Sequence, residues 1–189
     1  MTMSPATLIH HSNLFHRRVT DQSDSEKLGR VTQVWLDYRD HKVLGFTCQS
    51  GLWDNTACTF PWEQIAAIEA QQILMKAIPS NHQSVTLNLE LKRMTAVDTQ
   101  ISHEVWTQSG NYIGMISNCR IFPYSGVVKD YILIVRSLRQ LTIKQFYLPS
   151  SMIIDVGRGW IMVPDRVMQE IELVEEKRVI DGTLPPAWA

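Results

Sequence analysis

Apolar and polar residues alternate in short runs along most of the chain, and one such pattern occurs twice. Alternation with a period of two predicts strands that bury one face. The first copy runs from Val19 to Met75 and the second from Val105 to Val163, and Gly29 in the first has its counterpart at Gly114 in the second (114 − 29 = 85). The sequence therefore predicts a mainly β protein with two similar small domains in tandem.

The apolar positions of the two copies match along their length. With a shift of 85, Val34, Leu36, Phe46 and Cys48 align with Cys119, Ile121, Tyr131 and Leu133. After a three-residue insertion the shift becomes 88, and we place the insertion at Ser137 to Gln140 because loops tolerate changes of length. The aligned residues are predicted to face the core, whereas Trp35 aligns with Arg120, so the outward positions have diverged.

Turn signals locate a hairpin and a short helical turn in the first copy. The polar segment Asp37 to Lys42 is predicted to connect two strands, and the returning strand is expected to place Leu44, Phe46 and Cys48 on one face. Pro61 suits the first position of a helical turn, which we expect just before the closing strand.

Five segments are predicted along the chain. They are a flexible N-terminus at 1–13, a first domain at 14–78, a strand-forming connector at 79–98, a second domain at 99–164, and a C-terminal helix with an extended tail at 165–189. The connector alternates from Val85 to Leu91, so we expect a strand that adds to the first domain or pairs with the second. Asp165 is a candidate helix cap, and we favour a helix through Val174 over a strand, although 170–174 also alternate.

Composition restricts the class of protein. The 189 residues are 44% hydrophobic and 20% charged, as expected of a folded protein of one or two domains, and the net charge of −1 gives no overall attraction to nucleic acid or anionic membranes. No run approaches the roughly 18 apolar residues of a spanning helix. Three cysteines without a Cys-x-x-Cys spacing fit a reducing compartment. We therefore expect a soluble, cytoplasmic protein.

A search for catalytic or metal-binding groups finds little. The densest group of histidines is His10, His11 and His16. No Cys or carboxylate lies beside them in sequence to complete a zinc site. The segment Gly157 to Gly159 lacks the flanking strand and helix of a dinucleotide fingerprint and is interpreted as a turn. Asp37 and Asp40 fall at a predicted hairpin tip, where a solvated loop is favoured over paired catalytic carboxylates. We predict no enzyme activity, no cofactor and no metal.

Several of these segments resemble the PRC-barrel domain, a small β-barrel found in the H subunit of photosynthetic reaction centres and at the end of the ribosome maturation factor RimM. In the first copy the resemblance is carried by Leu28-Gly29-Arg30-Val31, Leu36-Asp37, Lys42-Val43-Leu44-Gly45-Phe46 and Phe60-Pro61-Trp62-Glu63-Gln64-Ile65. The second copy departs from the pattern, since Phe122 replaces Asp37 and Ser150-Ser151 replace Trp62-Glu63. The resemblance implies two small PRC-barrel-like β-barrels in tandem, followed by a short C-terminal helix or tail.

The resemblance also implies a function, because PRC-barrel domains are generally adaptor modules without catalytic activity. We expect a protein-binding adaptor or assembly factor for a large complex, with the photosynthetic apparatus as the first candidate. The alternative is a ribosome- or RNA-associated maturation factor. The expected partner is a protein subunit of that complex, and nucleic acid is the less favoured one. Membrane insertion is not expected, peripheral association is left open, and no oligomeric state is predicted.

Five residues are proposed as protein-binding candidates: Trp35, Phe122, Arg136, Arg139 and Trp188. Tryptophan and arginine are enriched at interaction hot spots. Trp35 is expected to point away from the core, whereas Trp62 and Trp160 are interpreted as filling the ends of their barrels. Arg136 and Arg139, together with Lys144, could contact RNA phosphates or an acidic protein surface, although a solvated loop is the simpler interpretation.

Overall fold

The computed structural model describes residues 7–23, 27–49, 57–76, 95–97, 101–137 and 142–178. The chain divides into two compact units, one formed by 1–101 with 119–129 and the other by 102–118 with 130–189. Each unit is built on β-strands, as predicted. The predicted boundaries of the five segments stay a prediction.

The first unit is built from β-strands of two to eleven residues. They are β1 (Ile9–His10), β2 (Arg18–Asp21), β3 (Lys27–Asp37), β4 (Lys42–Gln49), β5 (Ala57–Pro61), β6 (Ile65–Ile68), β7 (Gln72–Met75) and β8 (Thr95–Val97). The main sheet has the order β5-β4-β3-β2-β7-β6, with β8 beside β3. Strands β2 and β7 are parallel, and the other pairs are antiparallel. Two 3-10 turns lie at His11–Leu14 and Trp62–Gln64, the second of which confirms the predicted turn after Pro61.

Strand β1 belongs to the second sheet, where Ile9 pairs with Ile121 and His10 with Arg120. The other strands of this sheet are β9 (His103–Thr107), β10 (Tyr112–Ile121), β11 (Val128–Ser137), β12 (Thr142–Pro149), β13 (Asp155–Gly157), β14 (Trp160–Val163) and β15 (Glu172–Arg178). Their order is β13-β14-β9-β10-β11-β12-β15, and β14 and β9 are parallel. A 3-10 turn lies at Ser150–Met152 and a single helical turn, α1, at Val167–Glu170. Without β15, this order repeats that of the first sheet strand for strand.

The core residues are those that the two copies share. All eight aligned positions, from Val34 to Leu133, are at most 1% exposed. One prediction about the core is wrong, because Leu44 is only half-buried and Val43 is fully buried. The register of β3 and β4 shifts between Trp35 and Leu36. Such a bulge turns the following residues over to the opposite face, so Val43 replaces Leu44 in the core.

The three-residue insertion coincides with a longer ladder in the second sheet. Among the described residues, β4 and β5 form five residue pairs, whereas β11 and β12 form eight. Residues 138–141, which include most of the proposed insertion site, lie outside the described residues, as does the predicted strand from Val85 to Leu91. The described end of the connector, β8, pairs with β3 and so adds to the first sheet.

The helix predicted after Asp165 is mostly wrong. Helix α1 ends at Glu170, and the alternating residues that follow form β15 along the edge of β12. Asp165 does not cap the helix, because its carboxylate accepts hydrogen bonds from the backbone N–H and the hydroxyl of Ser109, at 3.0 and 2.8 Å. These bonds lower the pKa of Asp165. The edge of β12 offers a row of backbone partners that outweighs the weak helix signal.

The turn at Gly126 belongs to the first unit and packs into it closely. The backbone N–H of Val43 donates to Gly126 at 2.8 Å, and the N–H of Val128 donates to His41 at 2.7 Å. With the shift of 85, Val43 aligns with Val128 (43 + 85 = 128) and His41 aligns with Gly126 (41 + 85 = 126). The two donors are therefore aligned residues, and so are the two acceptors. Trp62, 2% exposed, donates its indole N–H to the carbonyl of Pro123 at 3.1 Å.

We expect Gly126→Ala to destabilise the protein more than Gly110→Ala. Both glycines have positive φ, +72° and +80°, so alanine is strained at either position. A Cβ at Gly126 would lie 2.5 Å from the carbonyl oxygen of Val43, whereas a Cβ at Gly110 meets nothing within 4 Å. The difference should be about 1 to 3 kcal/mol in the free energy of unfolding, measured by chemical denaturation. Equal costs would contradict the close packing.

A second prediction concerns pH. Burial lowers the pKa of His103, which is 7% exposed, and burial also lowers that of His41, although Asp37 and Asp40 act in the opposite direction. Below about pH 6.5 the unfolded chain binds protons that the folded histidines do not bind, so stability should fall as the pH drops from 7 to 5. One histidine contributes at most about 1.4 kcal/mol per pH unit. His103→Gln should flatten the slope in urea titrations, and an unchanged slope would contradict the prediction.

Candidate functional site

The outer face of the second sheet carries large apolar side chains. On β9 and β14 the residues Val105, Ile161 and Val163 are fully buried, so their neighbours Trp106 and Met162 lie on the opposite face. The residues of this outer aromatic face are Trp106, Tyr112, Met115, Trp160 and Met162.

Strand register brings these residues together in two rows. Met162 lies beside Trp106, which lies opposite Tyr112, so one row crosses three strands. The rings of Trp106 and Tyr112 meet edge to face, with centroids 5.2 Å apart. In the second row, Trp160 lies beside Glu104, which lies opposite Met115. Cross-strand neighbours on one face are close enough for large side chains to touch.

Trp160 and Trp106 are each held in place by a specific local contact. An ideal Cβ built at Gly157 would lie 2.0 to 2.3 Å from the indole of Trp160, so the ring lies directly over this glycine. Trp106 donates its indole N–H to Glu104 Oε2 at 3.0 Å. The aromatic rings are therefore positioned on the surface before any partner binds, which limits the entropy lost on association.

Exposure distinguishes this face from a core. Tyr112 is 51% and Met115 39% exposed, and Trp106, Trp160 and Met162 are half-buried. The interpretation of Trp160 as the filling of a barrel end is therefore wrong. Aromatic residues and methionine are enriched at protein interfaces, and a contiguous apolar patch marks an interaction site more often than scattered residues do.

The first sheet shows that the fold does not require apolar residues on this face. By strand register, Trp106, Tyr112, Met115, Trp160 and Met162 correspond to Thr20, Lys27, Arg30, Gln72 and Leu74. Four of these five counterparts are polar or charged, yet the strands pair in the same way. The same architecture forms with polar residues at these positions. Folding alone therefore does not explain why the outer aromatic face is apolar.

Trp35 lies on the outer side of β3, as its place in the pleat predicts. It is half-buried, and its indole N–H donates to Thr47 Oγ1 at 2.8 Å. Phe122 is half-buried and its backbone carbonyl accepts from the N–H of Gly126 at 2.9 Å, so it closes the turn of the hairpin. Trp188 and Arg139 lie outside the described residues. The structure thus places Trp35 and Phe122 on separate elements and gives each a local structural contact.

The basic group of the second copy has acidic neighbours. Arg136 is exposed on β11, but Lys144 lies 3.4 Å from Glu176 of the adjacent β15. Strand β15 also carries Glu172 and Glu175, which lie opposite Tyr147 and Gln145. Their negative charges reduce the attraction of this edge for phosphate groups.

Asp37 and Cys48 are explained by local structure in the described part of the chain. Within the described ranges, no three His, Cys, Asp or Glu side chains are grouped as metal ligands. The carboxylate of Asp37 accepts the backbone N–H groups of Arg39 and Asp40, at 2.8 and 3.2 Å, and so stabilises the predicted hairpin turn. Cys48 is buried and its pKa is raised to about 12, chiefly by burial, which makes it an unreactive thiol.

Sequence reasoning missed the outer aromatic face. Trp106, Tyr112 and Met162 come from three strands, and Tyr112 is separated from Met162 by 50 positions (162 − 112 = 50). These residues are brought together by the parallel register of β14 and β9, which no local sequence pattern predicts. The available hint was the alternation of Val105-Trp106-Thr107, which places Trp106 outward once Val105 is assigned to the core.

A membrane-spanning helix, long and apolar enough to cross a bilayer, is not found in the part of the chain that the structure describes. A comparison with curated proteins finds no match. A comparison with protein families matches residues 6–82 to the PRC-barrel domain. This match covers β1 to β7 and the first unit's turn at Trp62, and thus confirms the resemblance of the first copy.

Trp62→Ala and Trp35→Ala form a matched pair that tests core against surface. We expect Trp62→Ala to cost about 3 to 5 kcal/mol, because a buried aromatic side chain and its bond to Pro123 are lost. Trp35→Ala should cost less than about 3 kcal/mol, since the side chain is half-buried. The free energies of unfolding come from urea titrations followed by circular dichroism. A larger cost at Trp35 would assign this residue to the core.

Proposed function

We propose that this chain, which carries a PRC-barrel domain at residues 6–82, is a non-catalytic adaptor or assembly factor that docks onto a protein subunit of a large complex. Proteins with this domain include adaptors and assembly factors, and this association supports the proposal at the level of the family. Two PRC-barrel-like domains in tandem are part of the proposal, supported by the identical strand order of the two sheets. The cytoplasm is its proposed location, and the photosynthetic apparatus is the proposed complex on family association alone.

The outer aromatic face is the observation that carries the proposal. It offers two tryptophans, one tyrosine and two methionines on a rigid sheet, while the counterpart positions of the first sheet are mostly polar. A protein partner can bury such a face with a large gain from the hydrophobic effect, about 25 cal/mol per Å² of apolar area. The geometry supports a docking surface better than a catalytic cleft.

The competing proposal is an RNA-associated maturation factor that binds through Arg136, Arg139 and Lys144. The ion pair between Lys144 and Glu176 weakens this reading for the described part of the group. RNA binding would need a continuous positive surface, because phosphate contacts supply most of the affinity.

The proposal predicts that Trp106→Ser with Trp160→Ser strongly weakens partner binding. The tagged full chain and this double variant are used for affinity capture from the native host at low salt, with and without ribonuclease, followed by mass spectrometry. Loss of two hot-spot tryptophans should lower the affinity of the captured subunit, measured with the purified protein, by at least about 30-fold. The matched control is Leu173→Ser with Val174→Ser, since both residues are exposed on β15, at 46% and 39%.

Ribonuclease-resistant capture that disappears in the tryptophan variant and persists in the control supports docking through the outer aromatic face. Capture of the same proteins by both variants would contradict it. Recovery of ribosomal components that vanish with ribonuclease would favour the RNA-associated function.

A further inference from the structure

The corresponding face of the first sheet concentrates positive charge. Arg18 of β2 lies directly opposite Arg30 of β3, and Lys27 lies opposite Thr20 in the next outward pair. Val19 between them is fully buried, so the three cations project from the other side of the sheet, and all three are exposed. We name Arg18, Lys27 and Arg30 the basic outer face.

Within the described residues, none of these three cations forms a salt bridge. Arg30 donates to the backbone carbonyl of His16 at 2.8 Å, which orients its guanidinium but leaves the charge uncompensated. Gln72, which lies beside Arg18, donates to Glu69 Oε2 at 2.8 Å. The face therefore offers positive charge to a partner.

This arrangement works against the stability of the sheet. Like charges directly opposite each other on antiparallel strands are destabilising. The second sheet shows that the fold can avoid the repulsion, because Glu104 and Met115 stand where Arg18 and Arg30 stand in the first. Because the architecture does not need this charge pair, an anionic partner that neutralises both guanidinium groups would relieve the repulsion.

We propose that the basic outer face docks an acidic segment of a partner protein. The chemistry of the face favours a protein over single-stranded nucleic acid, because stacking of bases needs aromatic side chains. The cross-strand neighbours of the cations include Thr20, Gln49 and Gln72, which donate and accept hydrogen bonds but carry no aromatic ring. Arginine forks suit the carboxylates of Asp and Glu in two-bond geometry.

This site is independent of the outer aromatic face. The two faces lie on different sheets and take partners of different chemistry, one apolar and one acidic. One chain could then hold two protein surfaces, a property that the proposed adaptor function does not by itself require. Variants of one face are expected to leave binding at the other unchanged.

The test uses the full chain with two fluorescently labelled probes, poly-L-glutamate and polyuridylic acid, in anisotropy titrations at low and at physiological salt. We expect poly-L-glutamate to bind more tightly, with an affinity that falls as salt rises. Arg18→Glu with Arg30→Glu should weaken this binding at least about tenfold. The matched control is Arg39→Glu with Arg158→Glu, two exposed arginines in turns, which should change it less than about twofold.

A stability measurement separates binding from folding. Arg18→Glu alone places opposite charges across the pair with Arg30, so the melting temperature should stay equal or rise while glutamate binding falls. Preferential binding of polyuridylic acid through Arg18 and Arg30 would overturn the protein partner in favour of nucleic acid. Binding of neither probe at low salt, or equal losses in the control variant, would overturn the site itself.

Discussion

The parallel pairing of two strands, β2 with β7 in one sheet and β9 with β14 in the other, is the constraint on which both sheets depend. In the first unit β2 lies beside β7, with Val19 next to Ile73, and in the second β9 lies beside β14, with Val105 next to Ile161. All four residues are fully buried. Because side chains alternate with a period of two, this register also decides which residues face outward. A slip of one residue would bury Trp106 and expose Val105.

The same constraint explains how two surfaces of different chemistry arise on one architecture. The core residues are tied to each other across strands, and eight of them match between the copies. The outward residues are not constrained by packing in the core. One sheet therefore carries Arg18 and Arg30 at the positions where the other carries Glu104 and Met115. Divergence of the outer faces costs the fold little, since half-exposed positions on a sheet contribute less to packing.

Much of the core could be predicted from the sequence, because a period of two is a local signal. The surfaces could not, because a cross-strand neighbour such as Met162 next to Trp106 depends on a parallel register that only the folded sheet defines. The inward position of Val43 depends on a bulge, which has no strong signal in sequence. In the C-terminal segment the local sequence favours helix and strand about equally. Pairing with the edge of β12 then determines that the segment forms a strand, which the sequence alone does not predict.

The turn at Gly126 shows how the repeat contributes to stability beyond each sheet's own ladder. Its two backbone bonds, Val43 to Gly126 and Val128 to His41, use equivalent positions of the two hairpins and donate in opposite directions. Pro123 then closes over Trp62, the residue of the Pro-Trp-Glu segment that the second copy replaces with serine. The buried indole N–H of Trp62 thus has an acceptor within the first unit, which avoids the cost of an unsatisfied donor in the core.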